Sequence, residues 1–438
     1  MSEIELTLFF IAILLFFLGT GVWVGLSLVG VAAIGMMMFT DRSLDHIGGA
    51  MATTIWSGNS SWSLAALPMF IWMGEILFRT KLSENLFQGL TPLTQRLPGG
   101  LLHVNIAGSA VFAAVSGSSA ATVATVGKMS IPELRRREYP ENMIIGTLAG
   151  AGTLGLLIPP SITLIIYGVT INESIPKLFI AGIIPGIVLA LMFMGYVAIW
   201  SLANRGAVET VIRKYSAPEL LRALGQLLPV VLLIAAVMGS IYNGVTTATE
   251  AAVLGVVGAL VISAVQRSLT MASFRDALLG ATKTSAMIAL ILSGSTFLSL
   301  AMGFTGLPRA LAEWISGMGL TPVALIVALT VFYIVLGCFL DGISAVVLTM
   351  AVIEPLVRQA GFDMIWFGIY LMIVVEMAQI TPPIGFNLFV LQGMTGHDMG
   401  FIARAALPMF GIMVLAVAVI YMFPELATWL PENMKPGP

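Results

Sequence analysis

The chain has 438 residues, of which 58% are hydrophobic and only 10% are charged, and its mean hydropathy is +1.00. A soluble domain averages about 25% charged residues, so this chain is too apolar to cover itself with a polar surface. Its formal net charge of −2 gives no support to a nucleic-acid partner. The composition excludes a soluble enzyme and predicts an all-α polytopic membrane protein that spans a lipid bilayer.

Cysteine and histidine are rare in the sequence. The single cysteine, Cys338, excludes an internal disulfide, and the three histidines, His46, His103 and His397, lack metal-ligand spacing. We therefore expect no cofactor and no transition-metal site. The first five residues include two glutamates and no basic residue, unlike a cleaved signal peptide, so the first apolar segment is expected to be retained.

Apolar segments of roughly the length that crosses a bilayer recur from end to end. In chain order they cover 4–20, 23–40, 62–80, 101–127, 142–170, 179–201, 225–242, 247–266, 284–303, 320–353, 364–394 and 402–423. The fourth segment is rich in small residues and has a polar centre at 116–119, and the tenth has a similar tip near 337–344. We interpret these two segments as re-entrant hairpins.

The distribution of basic residues supports this interpretation. Three basic residues lie between 79 and 96 and four lie between 128 and 137, so a crossing at 101–127 would place one group outside, against the positive-inside rule. A hairpin that enters and returns keeps both groups in the cytoplasm. The resulting topology puts both termini in the periplasm of a bacterial inner membrane. It leaves five of the 20 basic residues outside: Arg42, Lys177, Arg309, Arg358 and Lys435.

Two proline pairs interrupt the 142–170 and 364–394 segments. One ungapped shift of the chain superimposes four prolines of one half on four of the other, namely Pro132, Pro159, Pro160 and Pro185 on Pro355, Pro382, Pro383 and Pro408. Each half has five crossings and one hairpin, and an odd number of crossings inverts the second half. The sequence predicts an inverted repeat with halves at 1–201 and 225–438, joined by a cytoplasmic helix or loop at 202–224.

The breaks and the hairpin tips are the candidate binding site. A proline pair frees backbone carbonyls, and broken backbone at membrane depth is tolerated only where protein or a water-filled cavity surrounds it. Serine and glycine at the adjacent tips supply the oxygen ligands that a hard cation such as Na⁺ prefers. Two plainer interpretations remain open: kinks whose carbonyls are satisfied by a local threonine, and small residues that serve close helix packing.

Two acidic residues lie in these segments. Asp341, at the second tip, is either an ion ligand or a water-exposed cap. Glu376, about one turn before the second break, either balances a cation or hydrogen-bonds the hairpin. No Lys or Arg lies deep in the hairpins or broken helices, so half-helix N-termini would have to attract an anionic substrate. The candidate substrate contacts are Ser119, Thr122, Ser161, Ser344, Thr381 and Asn387.

The chain resembles the large membrane subunit, the DctM-like subunit, of the TRAP (tripartite ATP-independent periplasmic) transporters. The stretches that carry the resemblance are 116–122, 152–161, 179–186, 249–252 and 381–387, which run in family order across nearly the whole chain. One departure is that Ile158, not a threonine, directly precedes the first proline pair. Any first-site ligand there must come from the backbone, Thr153 or Ser161.

The resemblance implies an elevator-type transport domain and Na⁺-coupled uptake of organic acids such as C4-dicarboxylates, sialic acids or other sugar acids. It also implies two partners, a small four-helix membrane subunit and a soluble periplasmic substrate-binding protein. Sodium sites are implied where the hairpin tips meet the breaks. The candidate Na⁺ ligands are Ser116, Gly117, Ser118, Ser119, Gly152, Thr153, Pro159, Gly337, Asp341, Gly342, Glu376, Gln379, Thr381 and Pro382.

Two other functions compete with this interpretation. A stand-alone divalent-anion:Na⁺ symporter shares hairpins and broken helices but needs no partner subunits, and only the family motifs argue against it. A membrane-embedded enzyme would require a nucleophile–base pair or metal ligands within the spans, and none is visible in the sequence. The sequence therefore predicts a transporter and no enzymatic activity.

Overall fold

The computed structural model describes residues 3–79, 82–204, 215–306, 317, 319–338, 340–382 and 385–435. All regular secondary structure in these ranges is helical. These ranges do not include Pro383 of the second proline pair, residues 205–214 of the connecting loop, or Arg309, which is one of the five basic residues predicted outside. The helices up to the connecting loop are Glu3–Gly19, Val24–Phe39, Leu44–Asn59, a 3₁₀ turn at Trp62–Ala65, Ala66–Phe78, Leu82–Thr94, Leu102–Ser116, Ser119–Arg136, Glu141–Gly152, Leu154–Leu157, Ile162–Ile171 and Ile175–Ala203.

The helices after the connecting loop begin with three long ones and end with a short C-terminal one. They are Ala217–Tyr242, Ala248–Val265, Met271–Thr305, Pro322–Gly337, Gly342–Gln359, Met364–Gln379, Phe386–Thr395, Met399–Met422 and Glu425–Glu432. Six of the described helices are long and apolar enough to cross a membrane, or eight if each of two bent pairs counts as one span. The chain is therefore a polytopic, all-helical membrane protein, as its composition predicts.

Two helices of the first half were missed in the sequence. Leu44–Asn59 is capped by Ser43 and meets Trp62–Phe78 at an angle of 57°, so the predicted 62–80 span is only one arm of a bent pair. Leu82–Thr94 buries Leu86 and Leu90 on one face. Both helices are amphipathic, and a search for continuous apolar runs does not detect them.

Two predicted loops are instead parts of long helices. The helix expected at 284–303 begins at Met271, where Thr270 accepts a hydrogen bond from the Ser273 backbone N–H, so most of the connection between the predicted 247–266 and 284–303 segments is helical. The helical end of the predicted 202–224 connection is not a separate element. It starts at a Ser216–Glu219 capping box and runs without a break into the Ala217–Tyr242 span.

Each of the two segments predicted as a re-entrant hairpin forms two contacting helices joined by a short turn, and their re-entry into the bilayer stays a prediction. The first hairpin consists of Leu102–Ser116 and Ser119–Arg136, and the second hairpin of Pro322–Gly337 and Gly342–Gln359. Each second helix continues past the expected ends at 127 and 353. Gly117 makes the first turn with φ +58°, a left-handed conformation that favours glycine.

The two predicted broken helices are also present. The first broken helix consists of Glu141–Leu157 and Ile162–Ile171, which meet at an angle of 40° across the first proline pair. The second broken helix consists of Met364–Gln379 and Phe386–Thr395, separated at the second proline pair.

The hairpins and broken helices pack across the two halves of the chain. The second helix of the first hairpin contacts the C-terminal arm of the second broken helix, and the second helix of the second hairpin contacts the C-terminal arm of the first. Residues from both halves therefore meet at the same place, which positions the candidate site.

Candidate ion and substrate site

The tip of the first hairpin lies directly on the first broken helix. A Cβ built on Gly155 would lie 2.7 Å from the backbone of both Ser118 and Ser119. A Cβ on Gly117 would lie 3.1 Å from the Pro160 carbonyl oxygen and 3.2 Å from the Ile162 backbone nitrogen. The structure thus brings the first predicted tip and the first predicted break into contact.

The tip of the second hairpin lies against the second broken helix in a comparable way. A Cβ on Gly337 would collide with the Ala378 side chain, and the Cys338 thiol lies 3.6 Å from the Pro382 carbonyl oxygen. A Cβ on Gly342 would lie 2.9 Å from Val375. The same Cβ would lie 3.0 Å from Leu156 of the first broken helix, so the two tip–break contacts adjoin each other.

One hydrogen bond joins the two halves at this point. Ser119 Oγ, at the first tip, donates to Asn387 Oδ1, in the first turn after the second break, at 3.3 Å. Ser119 is 7% exposed and Asn387 is fully buried. Two residues predicted as substrate contacts from opposite halves are therefore neighbours, and both are shielded from solvent.

Several predicted ligands are already engaged in local hydrogen bonds. Ser118 and Ser161 accept from backbone N–H groups as helix N-caps, and Thr153 Oγ1 donates to the Gly150 carbonyl at 2.6 Å. Ser116 Oγ and Thr122 Oγ1 pair at 3.0 Å. Their hydroxyl oxygens keep lone pairs, so these bonds order the tip without excluding an ion.

Thr381 satisfies the backbone beside its own break. Its hydroxyl donates to the Met377 carbonyl at 2.7 Å, as the plainer interpretation of the proline pair requires. The backbone carbonyl oxygens of Gln379 and Thr381 both lie close to Gly385 on the other side of the break, 2.7 and 2.8 Å from a Cβ built on that residue. The second break therefore combines a local threonine hydrogen bond with two backbone carbonyls that converge on Gly385.

Asp341 is an N-cap. Its Oδ2 accepts from the backbone N–H groups of Ile343 at 3.2 Å and Ser344 at 3.3 Å, and the residue is exposed. The capping role proposed for it in the sequence is thus present in the structure. Its other carboxylate oxygen accepts no hydrogen bond from the residues that the structure describes, so it can bind a second ligand.

Unpartnered buried atoms mark the centre of the site. Glu376 is fully buried, and neither carboxyl oxygen has a hydrogen-bond partner within the described ranges. The Ser119 side chain and the Leu156 backbone are polar groups close to it, outside hydrogen-bond geometry. Gln379 Nε2, Asn387 Nδ2 and Ser344 Oγ are also buried without partners in the described chain. Such groups are rare in proteins unless a ligand, ion or water binds them.

One polar residue beside the site was not identified in the sequence. Thr163 is fully buried and its hydroxyl has no partner among the described residues. It lies two residues after Ser161, in the first turn of the arm that follows the first break. A threonine within an apolar run usually bonds to its own helix, so only its position directly after the proline pair could have singled it out.

The electrostatics of the site come from helix ends. The second helix of each hairpin and the C-terminal arm of each broken helix begin here, at Ser119, Gly342, Ile162 and Phe386. Each N-terminus carries a partial positive charge, and the caps Ser118, Ser161 and Asp341 bind only some of the first-turn N–H groups that lack an intrahelical partner. Arg135 and Arg358 of the hairpin helices lie near the far ends and pair there with glutamates. The arrangement suits a small anion beside oxygen-rich cation positions.

Comparisons with known proteins agree with this architecture. Residues 11–426 match the family model described as "Tripartite ATP-independent periplasmic transporter, DctM component". The C4-dicarboxylate TRAP transporter large permease protein DctM of Pseudomonas aeruginosa is 31% identical over 91% of this chain and 92% of its own length. The sialic acid large permease protein SiaM of Vibrio cholerae is 28% identical over 94% and 95%.

Two further relatives extend the comparison. The isethionate permease protein DctMQ of Oleidesulfovibrio alaskensis is 30% identical over 93% of this chain, which spans 63% of that longer protein. Among solved structures, the YdaH transporter of Alcanivorax borkumensis has a TM-score of 0.63 at 14% identity, covering 95% of this chain and 98% of its own. This last likeness is one of fold alone. The chain belongs to the DctM component family of the tripartite ATP-independent periplasmic transporters.

Proposed function

We propose that this chain is the large transmembrane subunit of a Na⁺-coupled importer of organic acids that works by an elevator mechanism. The observation that carries the proposal is the closed contact between the tips and the breaks, where Ser119 and Asn387 join the halves around unpartnered buried polar atoms. A rigid unit with its site at the junction of two halves can carry that site across the membrane as a body.

The proposed sodium positions lie where each tip meets its break. Hard cations are bound by carbonyl, hydroxyl and carboxylate oxygens. The first position has the Ser116–Thr122 hydroxyl pair, the Ser119 hydroxyl and the carbonyls around Pro159. The second has the carbonyls of Gln379, Thr381 and Pro382 with Asp341 at the tip, and Glu376 lies beside the first tip as a charge-balancing group.

The proposed inverted repeat is supported by the helix boundaries. The shift that superimposes the prolines also superimposes Ser119–Arg136 on Gly342–Gln359 at both ends. It likewise superimposes Glu141 on Met364, the residues that begin the two broken helices. An inverted pair of halves would open the shared site to one face of the membrane and then to the other.

The proposed substrate is a small carboxylate. Relatives named above are described as permeases for C4-dicarboxylate, sialic acid and isethionate, which are all organic anions. Four helix N-termini and the free amide groups of Asn387 and Gln379 supply donors for an anion without a buried Lys or Arg in the described hairpins. We place the acid between these donors, with Thr122, Ser161 and Ser344 nearby.

The proposed partners are a small four-helix membrane subunit and a soluble periplasmic binding protein, with the complex in the bacterial inner membrane and both termini in the periplasm. The test is to purify the tagged chain from native membranes in mild detergent and identify co-purifying proteins by mass. The complex is then reconstituted in liposomes, and uptake of labelled acids is measured with and without a sodium gradient and the binding protein.

Uptake that needs sodium, the binding protein and a stoichiometric small subunit is the expected result. Sodium-driven uptake by the chain alone would instead establish a stand-alone symporter. Uptake independent of sodium would contradict the coupling. Ser119→Ala should lower uptake, whereas the matched control Ser263→Ala removes an equally buried hydroxyl that bonds only to its own helix and should not.

A further inference from the structure

A second group of unpartnered polar atoms lies below the tip of the first hairpin. Asn105, Ser109, Ser130 and Thr147 are all fully buried, and we call this group the first-hairpin seam. Asn105 Nδ2 donates to Thr147 Oγ1 at 2.9 Å. Asn105 Oδ1, Ser109 Oγ and Ser130 Oγ have no hydrogen-bond partner in the part of the chain that the structure describes.

The seam runs along the face that the first hairpin turns toward the first broken helix. Asn105, Ser109 and Ser116 lie on one stripe of their helix, because spacings of four and eleven residues return to nearly the same direction. Ser130 lies two turns beyond Val123, which a Cβ on Gly152 would strike. The seam therefore lies on the stripe that leads from Ser116, at the tip, toward the base of the hairpin.

The second half fills the corresponding place with a phenol ring. Tyr370, which the proline-matching shift superimposes on Thr147, pairs its hydroxyl with Thr330 Oγ1 at 2.8 Å and lies 3.0 Å from the Ile326 carbonyl oxygen. Tyr333 of the second hairpin pairs with Thr349 at 2.6 Å. The polar side chains there are all hydrogen-bonded, whereas Asn105 Oδ1, Ser109 Oγ and Ser130 Oγ of the first-hairpin seam have no partner among the described residues.

The chemistry of the seam suits a hard cation. Its unpartnered atoms are one amide oxygen and two hydroxyl oxygens, and the Thr147 hydroxyl adds a fourth oxygen. Buried polar atoms without partners are costly unless water or an ion satisfies them. Oxygens of this kind are the ligands that hard cations prefer.

We propose that the first-hairpin seam is a transit site for Na⁺ between the first tip and the base of the first hairpin, and that the second hairpin has no such site. The ion exchanges tip oxygens for seam oxygens, and no covalent bond changes. The proposal rests on the sodium coupling proposed above, and it assigns the first hairpin the route by which the ion leaves.

The test is exchange of labelled sodium across liposomes that contain the complete complex. Ser109→Ala combined with Ser130→Ala removes two seam oxygens while leaving every tip ligand in place. We expect exchange to slow by about tenfold or more, equivalent to at least about 1.4 kcal/mol on the barrier. The sodium concentration that half-maximally stabilises the protein against heat should change less than twofold. Thr147→Tyr, which copies the second half, should slow exchange in the same way.

The matched control is Thr330→Ala, which removes a hydroxyl from the second hairpin and leaves Tyr370 its contact with the Ile326 carbonyl. It should leave exchange unchanged. The proposed transit site would be overturned if sodium exchange were unaltered in the Ser109/Ser130 double variant. Its thermal stability would then rise, because two buried hydroxyls without partners have been removed. A wild-type complex without any sodium exchange would instead contradict the proposed coupling, so the two failures are distinguishable.

Discussion

Arg135 and Arg358 occupy corresponding positions in the two halves, and each joins the end of its hairpin to the far end of the other half's broken helix. Arg135 donates to Glu141 at 2.5 Å and to the Thr395 carbonyl at 3.3 Å. Arg358 lies 3.7 Å from Glu173 and donates to Glu354 at 2.9 Å. The two arginines thus hold the packed unit together at two sites remote from the tips, Arg358 through an ion pair and Arg135 through a hydrogen bond to a carbonyl.

These pairs are partly exposed, so their contribution to stability should be small. Exposed ion pairs contribute about 0–1 kcal/mol. In a double-mutant cycle of Arg358→Gln and Glu173→Gln, unfolding in detergent should give a coupling free energy of at most about 1 kcal/mol. A coupling of about 3 kcal/mol or more would mean that the pair is desolvated in the assembled complex.

Cysteine labelling tests the topology and the inverted repeat together. In a Cys338→Ala background, Arg136→Cys should react with an impermeant maleimide only from the cytoplasmic side, because Arg136 is 72% exposed at the end of the first hairpin. Arg358→Cys, at the end of the second hairpin, should react only from the periplasmic side. Labelling of both positions from the same side of the membrane would contradict the inverted repeat.

The two roles of Asp341, helix cap and sodium ligand, can be tested separately. Asn is as good an N-cap as Asp, so Asp341→Asn removes the charge and keeps the cap, whereas Asp341→Ala removes both and should cost about 1 kcal/mol of stability. If the carboxylate binds sodium, Asp341→Asn should raise the sodium concentration for half-maximal uptake while the melting temperature stays near wild type. If the sodium concentration for half-maximal uptake is unchanged, Asp341 acts only as a helix cap.

The contact of Gly155 with the first tip gives a steric test. A Cβ there would lie 2.7 Å from the backbone of Ser118 and Ser119, so Gly155→Ala should displace the tip and lower sodium-dependent uptake by about tenfold or more. Gly195→Ala is the matched control, since a Cβ at that helical glycine meets nothing within 4 Å. Equal uptake by the two variants would show that the tip does not need this close approach.

The sequence by itself determined the class of protein and the positions of its interruptions. Composition requires helices in a bilayer, because backbone groups in hydrocarbon must be satisfied within the segment. The polar tip at 116–119 and the proline pair at Pro159 fall at the observed breaks, because proline and left-handed glycine act locally on the backbone. Amphipathic helices such as Leu82–Thr94 escaped notice, because their apolar faces are too narrow for a search for whole spans.

Only the tertiary structure decided which residues meet. Ser119 and Asn387 are 268 residues apart, and no local pattern indicates that their side chains share a hydrogen bond. The same holds for the first-hairpin seam, since a serine that lacks a partner looks the same in sequence as one that bonds to its own helix. Whether a buried polar atom is satisfied depends on side chains from distant segments, and their packing alone settles it.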